Sequence, residues 1–218
     1  MPKAAVTGHL GFIGSHLVPA LESQGWDVCG YDLKNGFDIR TAIMQPADIC
    51  FHLAAQTNAR SKNILDDATT NIIGTLNVLE QFGRNTVFAS SSAVNYPVTP
   101  YAVSKLAGEH YCKLYGARIV RLCNIYGPGS SGVHATFAQA NRLQIAGSGS
   151  QKRTYAFVDQ AVKALINSTE PLHILSGKDM TVNEVAAIWP RKPRDYVERS
   201  PNDIEIGTQV MAAAPTAS

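Results

Sequence analysis

Gly8-His-Leu-Gly11-Phe-Ile-Gly14 comes after a short apolar run, Lys3 to Thr7, and opens a segment that places Ile13, Leu17 and Leu21 on one helical face. The order predicts a strand, a loop and a helix start. Glycines at such a junction let the backbone approach a pyrophosphate closely, and the free N–H groups and positive dipole end of the helix attract that anion. Three glycines in a loop also suit a plain tight turn. The next strand separates the two possibilities: Asp27 to Tyr31 ends in Asp32, 18 residues beyond Gly14. A carboxylate there accepts both ribose hydroxyls of a dinucleotide and repels a 2′-phosphate, so the unit predicts NAD over NADP. The alternation of strand and helix predicts an α/β fold, a Rossmann-type doubly wound parallel sheet. Pro19 removes a backbone hydrogen bond inside the first helix and is expected to kink it, unless the helix already bends around the sheet.

Farther along, Ile49 to Leu53 reads as a third core strand closed by the small residues Ala54 and Ala55, which leave room for a cofactor across the carboxyl end of the sheet. His52, inside that run, reads as a hydrogen-bonded core histidine. Residues 56 to 68 are polar and are assigned to a loop with some helix. Asn71 to Phe82 reads as a helix, and Thr86 to Ala89 as a buried strand ending in Ser90-Ser91-Ser92. Eight residues, Pro97 and Pro100 among them, separate Ser92 from Tyr101, so strand end and helix start are expected to be neighbours.

Tyr101-Ala-Val-Ser-Lys105 then opens a helix reaching Tyr115. Residues four apart share a helix face, so phenol and ammonium project side by side. A free phenol titrates near ~10, and a neighbouring ammonium lowers that value by favouring the phenolate. Tyr101 can then take a proton from an alcohol while a hydride leaves the same carbon. Gly108 and Cys112 continue the stripe with small side chains, read as room for something flat, while Val103, Leu106, Ala107 and Leu114 supply apolar packing elsewhere. The competing interpretation is a half-buried tyrosine with a solvated lysine one turn on.

Beyond the strand Ala117 to Leu122 and Asn124-Ile-Tyr-Gly-Pro128, the composition becomes loop-like and rich in glycine. The expected domains are 1–128 for dinucleotide binding, 129–205 as a small C-terminal substrate-binding cap, and 206–218 as a disordered tail. In the cap, Phe137 to Gln144 and Asp159 to Ile166 read as helices, and Thr154 to Val158 and Leu172 to Leu175 as strands. Thr181 and Glu184 form a capping box for a short helix reaching Trp189.

The whole chain of 218 residues, with 45% hydrophobic residues, 17% charged and a net charge of +2, has the balance of a globular protein. So mild an excess argues against nucleic acid as partner. The four cysteines, at 29, 50, 112 and 123, fall in apparent core elements without paired metal spacing, so reduced buried thiols, no metal site and a cytoplasmic setting are expected. Met1 to Gly8 passes straight into strand and loop without a leader, and no apolar run approaches ~18 residues, so no membrane partner is expected.

Taken in order, Thr7 to Leu17, Asp38-Ile-Arg40, Phe51-His-Leu-Ala-Ala55, Asn71-Ile-Ile-Gly-Thr75, Ser90-Ser-Ser92, Tyr101 to Lys105 and Arg121-Leu-Cys-Asn-Ile-Tyr-Gly-Pro128 resemble the extended short-chain dehydrogenase/reductases. Within them the series is similar to the NAD-dependent nucleotide-sugar epimerase/dehydratase family, which includes UDP-glucose 4-epimerases. The resemblance implies that Gly8, Gly11, Phe12, Ile13 and Gly14 hold the pyrophosphate, Asp32 the adenosine ribose, Asp38 and Ile39 the adenine. It further implies that Leu53, Ala54, Ala55, Asn71 and Ser90 form the wall along the cofactor. Ser92, Tyr101 and Lys105 would be catalytic, with Tyr101 and Lys105 also touching the cofactor. Ser91, Ser92, Asn124, Gly132, Val133, Arg153 and Arg199 would bind a substrate, a nucleotide sugar that is expected to be UDP-linked. Family members commonly dimerise through helices beginning near Asn71 and Tyr101, where Leu76, Leu79, Leu106 and Leu114 are candidates.

Departures from the family pattern are visible. The segment from Asp32 to Asp38 is short, which predicts a vestigial or absent strand, and the link from Ser92 to Tyr101 lacks most of a covering loop. Family dehydratases generally carry Asp-Glu beside the catalytic hydroxyl, where this chain has Ala93 and Val94. The expected reaction is therefore epimerisation at C4 of a UDP-hexose through a 4-keto intermediate. A keto-sugar reductase or a dehydratase is the alternative within the family, and an NAD-binding sensor or interaction module the alternative outside catalysis.

Overall fold

The computed structural model describes residues 1–57 and 64–198. The first half of the chain runs β1 (Lys3–Thr7), α1 (Phe12–Glu22), β2 (Asp27–Tyr31), β3 (Ile49–His52), α2 (Ile64–Asp67), α3 (Gly74–Phe82), β4 (Thr86–Ser91) and α4 (Pro100–Tyr115). It continues through β5 (Arg118–Leu122), β6 (Asn124–Tyr126), α5 (Val133–Gln139), β7 (Leu143–Ala146) and β8 (Lys152–Phe157). The last described elements are α6 (Val158–Ile166), β9 (Leu172–Ile174), β10 (Lys178–Thr181), α7 (Val182–Ala186) and β11 (Arg194–Val197). Two compact units result: Met1–Leu122 with Asp159–Leu175, and Cys123–Val158 with the chain from Ser176 onward.

In the first unit six strands form one parallel sheet in the order β2-β1-β3-β4-β5-β9. The strands read as near-continuous buried runs, Ala4 to Thr7 in β1 and Ile49 to His52 in β3, as a sheet covered on both faces requires. The reversal of strand order between β1 and β3 places the carboxyl ends of both beside the glycine loop, the usual ligand position of such sheets. Helix α1 runs unbroken through Pro19.

Among the described residues no strand separates β2 from β3. Asp32 instead caps a 3-10 turn, Leu33–Asn35, and the chain from Ile39 to Met44 is strapped to α3 by Asn77 and Gln81. Asn77 Nδ2 donates to the carbonyls of Ile39 and Ala42 at 2.8 and 2.9 Å. The strand expected to be vestigial or absent is absent among the described residues, a turn standing in its place, and β2 is the edge of the sheet.

The second unit contains the three-stranded sheet β10-β8-β6, the parallel pair β11-β7, and a core of Phe137, Leu143, Ile145, Tyr155, Val185 and Ala186. The capping box at Thr181 is present, with Glu184 N donating to Thr181 Oγ1 at 3.1 Å and Thr181 N donating to Glu184 Oε2 at 2.6 Å.

Two expectations need correction. The segments Asp159 to Ile166 and Leu172 to Leu175 belong to the first unit, because β9 pairs in parallel with β5 and completes its sheet. The boundary accordingly falls after Leu122, and the chain returns to the first unit before leaving it again. The helix assigned to Phe137 to Gln144 ends at Gln139, and Leu143 and Gln144 begin β7, whose alternating burial turns Leu143 and Ile145 inward. The tail assigned to 206–218 lies outside the described residues.

Candidate functional site

The glycine loop is built so tightly that side chains are excluded. A Cβ on Gly14 would lie 2.3 Å from the Gly8 carbonyl oxygen, and one on Gly8, whose φ is +72°, 2.7 Å from the Ala54 nitrogen. Both obstacles are backbone and cannot yield. Gly11 caps α1 without a side-chain hydrogen bond, which leaves the first-turn amides without a side-chain cap, the arrangement that favours an anion at a helix start. Asp32, at the end of β2, accepts from Leu10 N at 3.1 Å and Lys34 N at 3.0 Å. Loop, helix start and acid therefore meet at one end of the sheet. The glycines let the loop close tightly on itself and on Ala54, a turn that fits the pyrophosphate of a dinucleotide.

Asp38 and Ile39 stand next along the chain. The Asp38 carboxylate is gripped by the Arg40 guanidinium, with Nε 2.9 Å from each oxygen, and this pairing lowers its pKa. Ile39 is buried against Gly74, where a Cβ would lie 2.5 Å from its Cδ1.

A continuous hydrogen-bond chain crosses this unit. Ala54 N donates to Thr7 Oγ1 at 3.2 Å, and Thr7 Oγ1 lies 2.7 Å from His52 Nδ1. On the other side, His52 Nε2 lies 3.0 Å from Thr75 Oγ1, which donates to the Asn71 carbonyl at 2.5 Å. Thr75 gives its proton to Asn71 and accepts from Nε2–H, so Nδ1 accepts from Thr7. The histidine is buried and neutral, its pKa pushed down to about 3 by burial, then by Lys105. The Asn71 amide clamps Gln56, accepting from its N at 2.7 Å and donating to its O at 3.0 Å, and also donates to Ser104 Oγ at 2.8 Å. Ser104 Oγ in turn donates to the Tyr101 carbonyl at 2.8 Å. The wall beyond Leu53, Ala54 and Ala55 is thereby tied to the helix that carries Tyr101.

Thr99 caps α4 through Ala102 N, and Pro100 occupies the first turn, which fixes where the helix starts. Tyr101 is partly buried, and the hydroxyl hydrogen-bonded to its phenol is that of Ser91, at the end of β4. Ser92 is buried and begins a 3-10 turn, Ser92–Asn95. Ser90 points into the protein, donating to Glu109 Oε1 at 2.5 Å. Glu109 is fully buried and paired with Arg121 at 2.8 and 2.7 Å, and Arg121 also reaches Asn95. Helix α4, strand β4 and strand β5 are thus pinned together directly beneath the serines.

The electrostatics differ from the expectation drawn from the four-residue spacing. Burial raises the Tyr101 pKa, Ser91 lowers it and Asp67 raises it. Lys105 is buried with its ammonium 4.0 Å from the Phe88 ring centroid, its pKa pushed down to about 8, and it acts on His52 and Cys112. The cause is close packing of the helix stripe. A Cβ on Gly108 would lie 2.8 Å from Phe88 Cζ, and Cys112 is buried with Leu79, Phe88, Ala117 and Ile119. The small residues of the stripe admit the sheet rather than a flat ligand. Val103 and Leu114 lie outside the packing assigned to them, at 51% and 80% exposure, whereas Leu79 is fully buried against the sheet.

The remaining substrate candidates belong to the second unit. Asn124, in β6, donates to the Thr154 carbonyl at 3.1 Å. Arg153 sits in β8 opposite Met180. Gly132 precedes α5 with open space where its Cβ would be, and Val133 packs on the core of the unit. Arg199 lies outside the described residues. Among the described residues no cluster of three or more His, Cys, Asp or Glu could hold a metal ion, and no helix is long and apolar enough to cross a membrane. Sequence reasoning missed Asp67 and Glu109. Glu109 carried a readable signal: it lies four residues past Lys105, on the same helix face.

The sequence profile of the NAD dependent epimerase/dehydratase family matches residues 4–173, ending within β9. The UDP-glucose 4-epimerase of Mycolicibacterium smegmatis is 31% identical over 231 aligned residues, covering 78% of this chain and 74% of its own. Among solved structures, the Thermus thermophilus UDP-glucose 4-epimerase in complex with NAD superposes with a TM-score of 0.80 at 26% identity, covering 94% of this chain and 89% of its own. A Thermotoga maritima UDP-glucose 4-epimerase with UDP-glucose gives a TM-score of 0.83 at 24% identity, covering 96% and 89%, and shares the fold.

Proposed function

We propose, from the premise that this chain belongs to the NAD-dependent epimerase/dehydratase family, that it epimerises C4 of a UDP-linked hexose through a transient 4-keto sugar. The observation that carries this reading is the tight glycine loop at the carboxyl edge of a parallel sheet, beside which β4 ends in Ser91 and α4 begins with Tyr101, whose phenol Ser91 acts on. Gly8, Gly11, Phe12, Ile13 and Gly14 would hold the pyrophosphate of NAD, Asp32 its adenosine ribose, and the stretch from Asp38 to Ile39 its adenine. Leu53, Ala54 and Ala55 would line its middle, with Asn71 fixing that wall, and Lys105 its nicotinamide ribose, while Ser90 turns away to Glu109. When bound, NAD supplies a reversible acceptor for the hydrogen on C4.

Tyr101 takes the proton of the C4 hydroxyl and returns it to the same oxygen after the sugar has turned. Ser91 and Ser92 hold that oxygen, and Ser91 also lowers the pKa of the phenol. Burial keeps the phenol protonated in the chain alone, so its proton is lost only when positive charge arrives beside it. The Lys105 ammonium, packed on Phe88 with its pKa pushed down to about 8, acts instead on His52 and Cys112. Asn124, Gly132, Val133, Arg153 and Arg199 are assigned to the nucleotide, where an arginine fork suits a diphosphate.

The raised phenol favours a second reading. A protonated tyrosine is a proton donor, which suits reduction of a nucleotide keto-sugar as well as abstraction from an alcohol. The assay that separates them is incubation of purified protein with UDP-glucose, scored for UDP-galactose, with Tyr101→Phe as control. Epimer formed without added cofactor supports the first reading. Turnover of a keto-sugar that consumes one reduced cofactor per product supports the second. We also assign a homodimer in the cytoplasm, on the exposed Val103 and Leu114 of α4 and the four free cysteines. Light scattering of Leu114→Lys tests the dimer.

A further inference from the structure

Asp67 ends α2 at 1% exposure, and neither of its carboxylate oxygens has a hydrogen-bond partner among the described residues. A buried carboxylate left so is costly, and nearly all buried polar groups find partners. A π-helical stretch, Ala68–Ile73, comes immediately after it, an irregularity that clusters at functional sites. Position along this helix face gives the carboxyl its surroundings. Asn71, one turn on, donates to Ser104, and Ser104 to the Tyr101 carbonyl, so the face rests on the first turn of α4. The charge of Asp67 is felt at the Tyr101 phenol, and that of Asp66 at Asp67.

We propose that Asp67 is a substrate-binding residue whose carboxylate accepts hydrogen bonds from hexose hydroxyls adjacent to the one that Tyr101 deprotonates. This inference rests on the epimerase reading and adds to it. Two neighbouring hydroxyls satisfy both carboxylate oxygens at once. Binding also offsets the negative charge that opposes ionisation of the phenol, so the sugar helps to activate the base that acts on it. An empty site keeps Tyr101 protonated; a filled one eases loss of its proton.

The test compares wild type, Asp67→Asn and Asp67→Ala on UDP-glucose and on its 2-deoxy and 3-deoxy analogues. Wild type is expected to lose about tenfold or more in KM with one of the analogues, as for a hydrogen bond to a charged group. Asp67→Ala should show the same loss on UDP-glucose and no further loss on that analogue. In Asp67→Asn the basic rise of kcat with pH should move to lower pH, while the thermal midpoint does not fall, since an unpartnered carboxylate has been removed. A purely structural aspartate would instead lower the midpoint and leave the analogue pattern intact. Variants with wild-type KM and unchanged analogue sensitivity overturn the proposal and leave the epimerase reading standing. If wild type forms no epimer, that reading fails, and calorimetry of UDP-glucose with NAD-loaded protein decides on Asp67. Weaker binding by Asp67→Ala than by wild type supports it; equal binding, or none by either, overturns it.

Discussion

His52 Nδ1 lies 2.7 Å from the hydroxyl of Thr7, from which it accepts in the neutral ring. With a folded pKa near 3 against 6.5 for the free side chain, the unfolded chain binds the extra proton first. Stability is therefore complete above pH 6.5 and is lost as pH falls toward 3, at about 1.4 kcal/mol per pH unit for this one group. Urea midpoints across that window should show the slope, and His52→Asn should flatten it.

Gly14→Ala should abolish NAD binding, because the added methyl meets the Gly8 carbonyl at 2.3 Å and opens the loop. Calorimetry with NAD measures the loss. The thermal midpoint should fall as well, by the amount that about 1–3 kcal/mol of overpacking produces. Retained micromolar binding would count against a pyrophosphate at this turn.

Glu109→Ala should destabilise the protein by about 3 kcal/mol or more, since it strands Arg121 and the Ser90 hydroxyl at once. The same change frees β4 from α4, so activity should fall beyond what lost stability explains. Denaturant unfolding and assay at a temperature where both proteins are folded separate the two effects.

Lys105→Met should abolish epimerisation yet stabilise the fold at neutral pH. Lys105 has its folded pKa lowered from 10.5 to about 8, so the native state carries the full cost of a buried ammonium below pH 8. That cost, on the order of 3 kcal/mol at most, disappears as pH rises through this window. The stability gap between variant and wild type should close from pH 8 to 10.5. A gap independent of pH would show that Lys105 is not buried as a cation.

Sequence alone exposed the glycine loop, Asp32, the order of the first five strands and the Tyr101 helix, because period, glycine spacing and capping residues are local properties. It misplaced β9, whose three residues, Leu172–Ile174, carry too little pattern to reveal which sheet they join. It read Gly108 and Cys112 as a hollow, since helix spacing says which residues share a face and nothing about what covers it. The direction of the Lys105 ammonium was hidden for the same reason, being set by Phe88 from a different strand. Asp67 gave no signal, because an acidic residue in a polar segment looks solvated until the neighbouring helix is packed on it.

Strand β9 adds to β5 only after the chain has passed through the whole segment from Cys123 to Val158. During synthesis the first five strands leave the ribosome with one long side of β5 uncovered, and they wait for roughly fifty more residues before its partner arrives. Over that interval the nascent chain displays an unpaired strand edge. A holdase chaperone that binds extended segments would find its target there, at Arg118–Leu122.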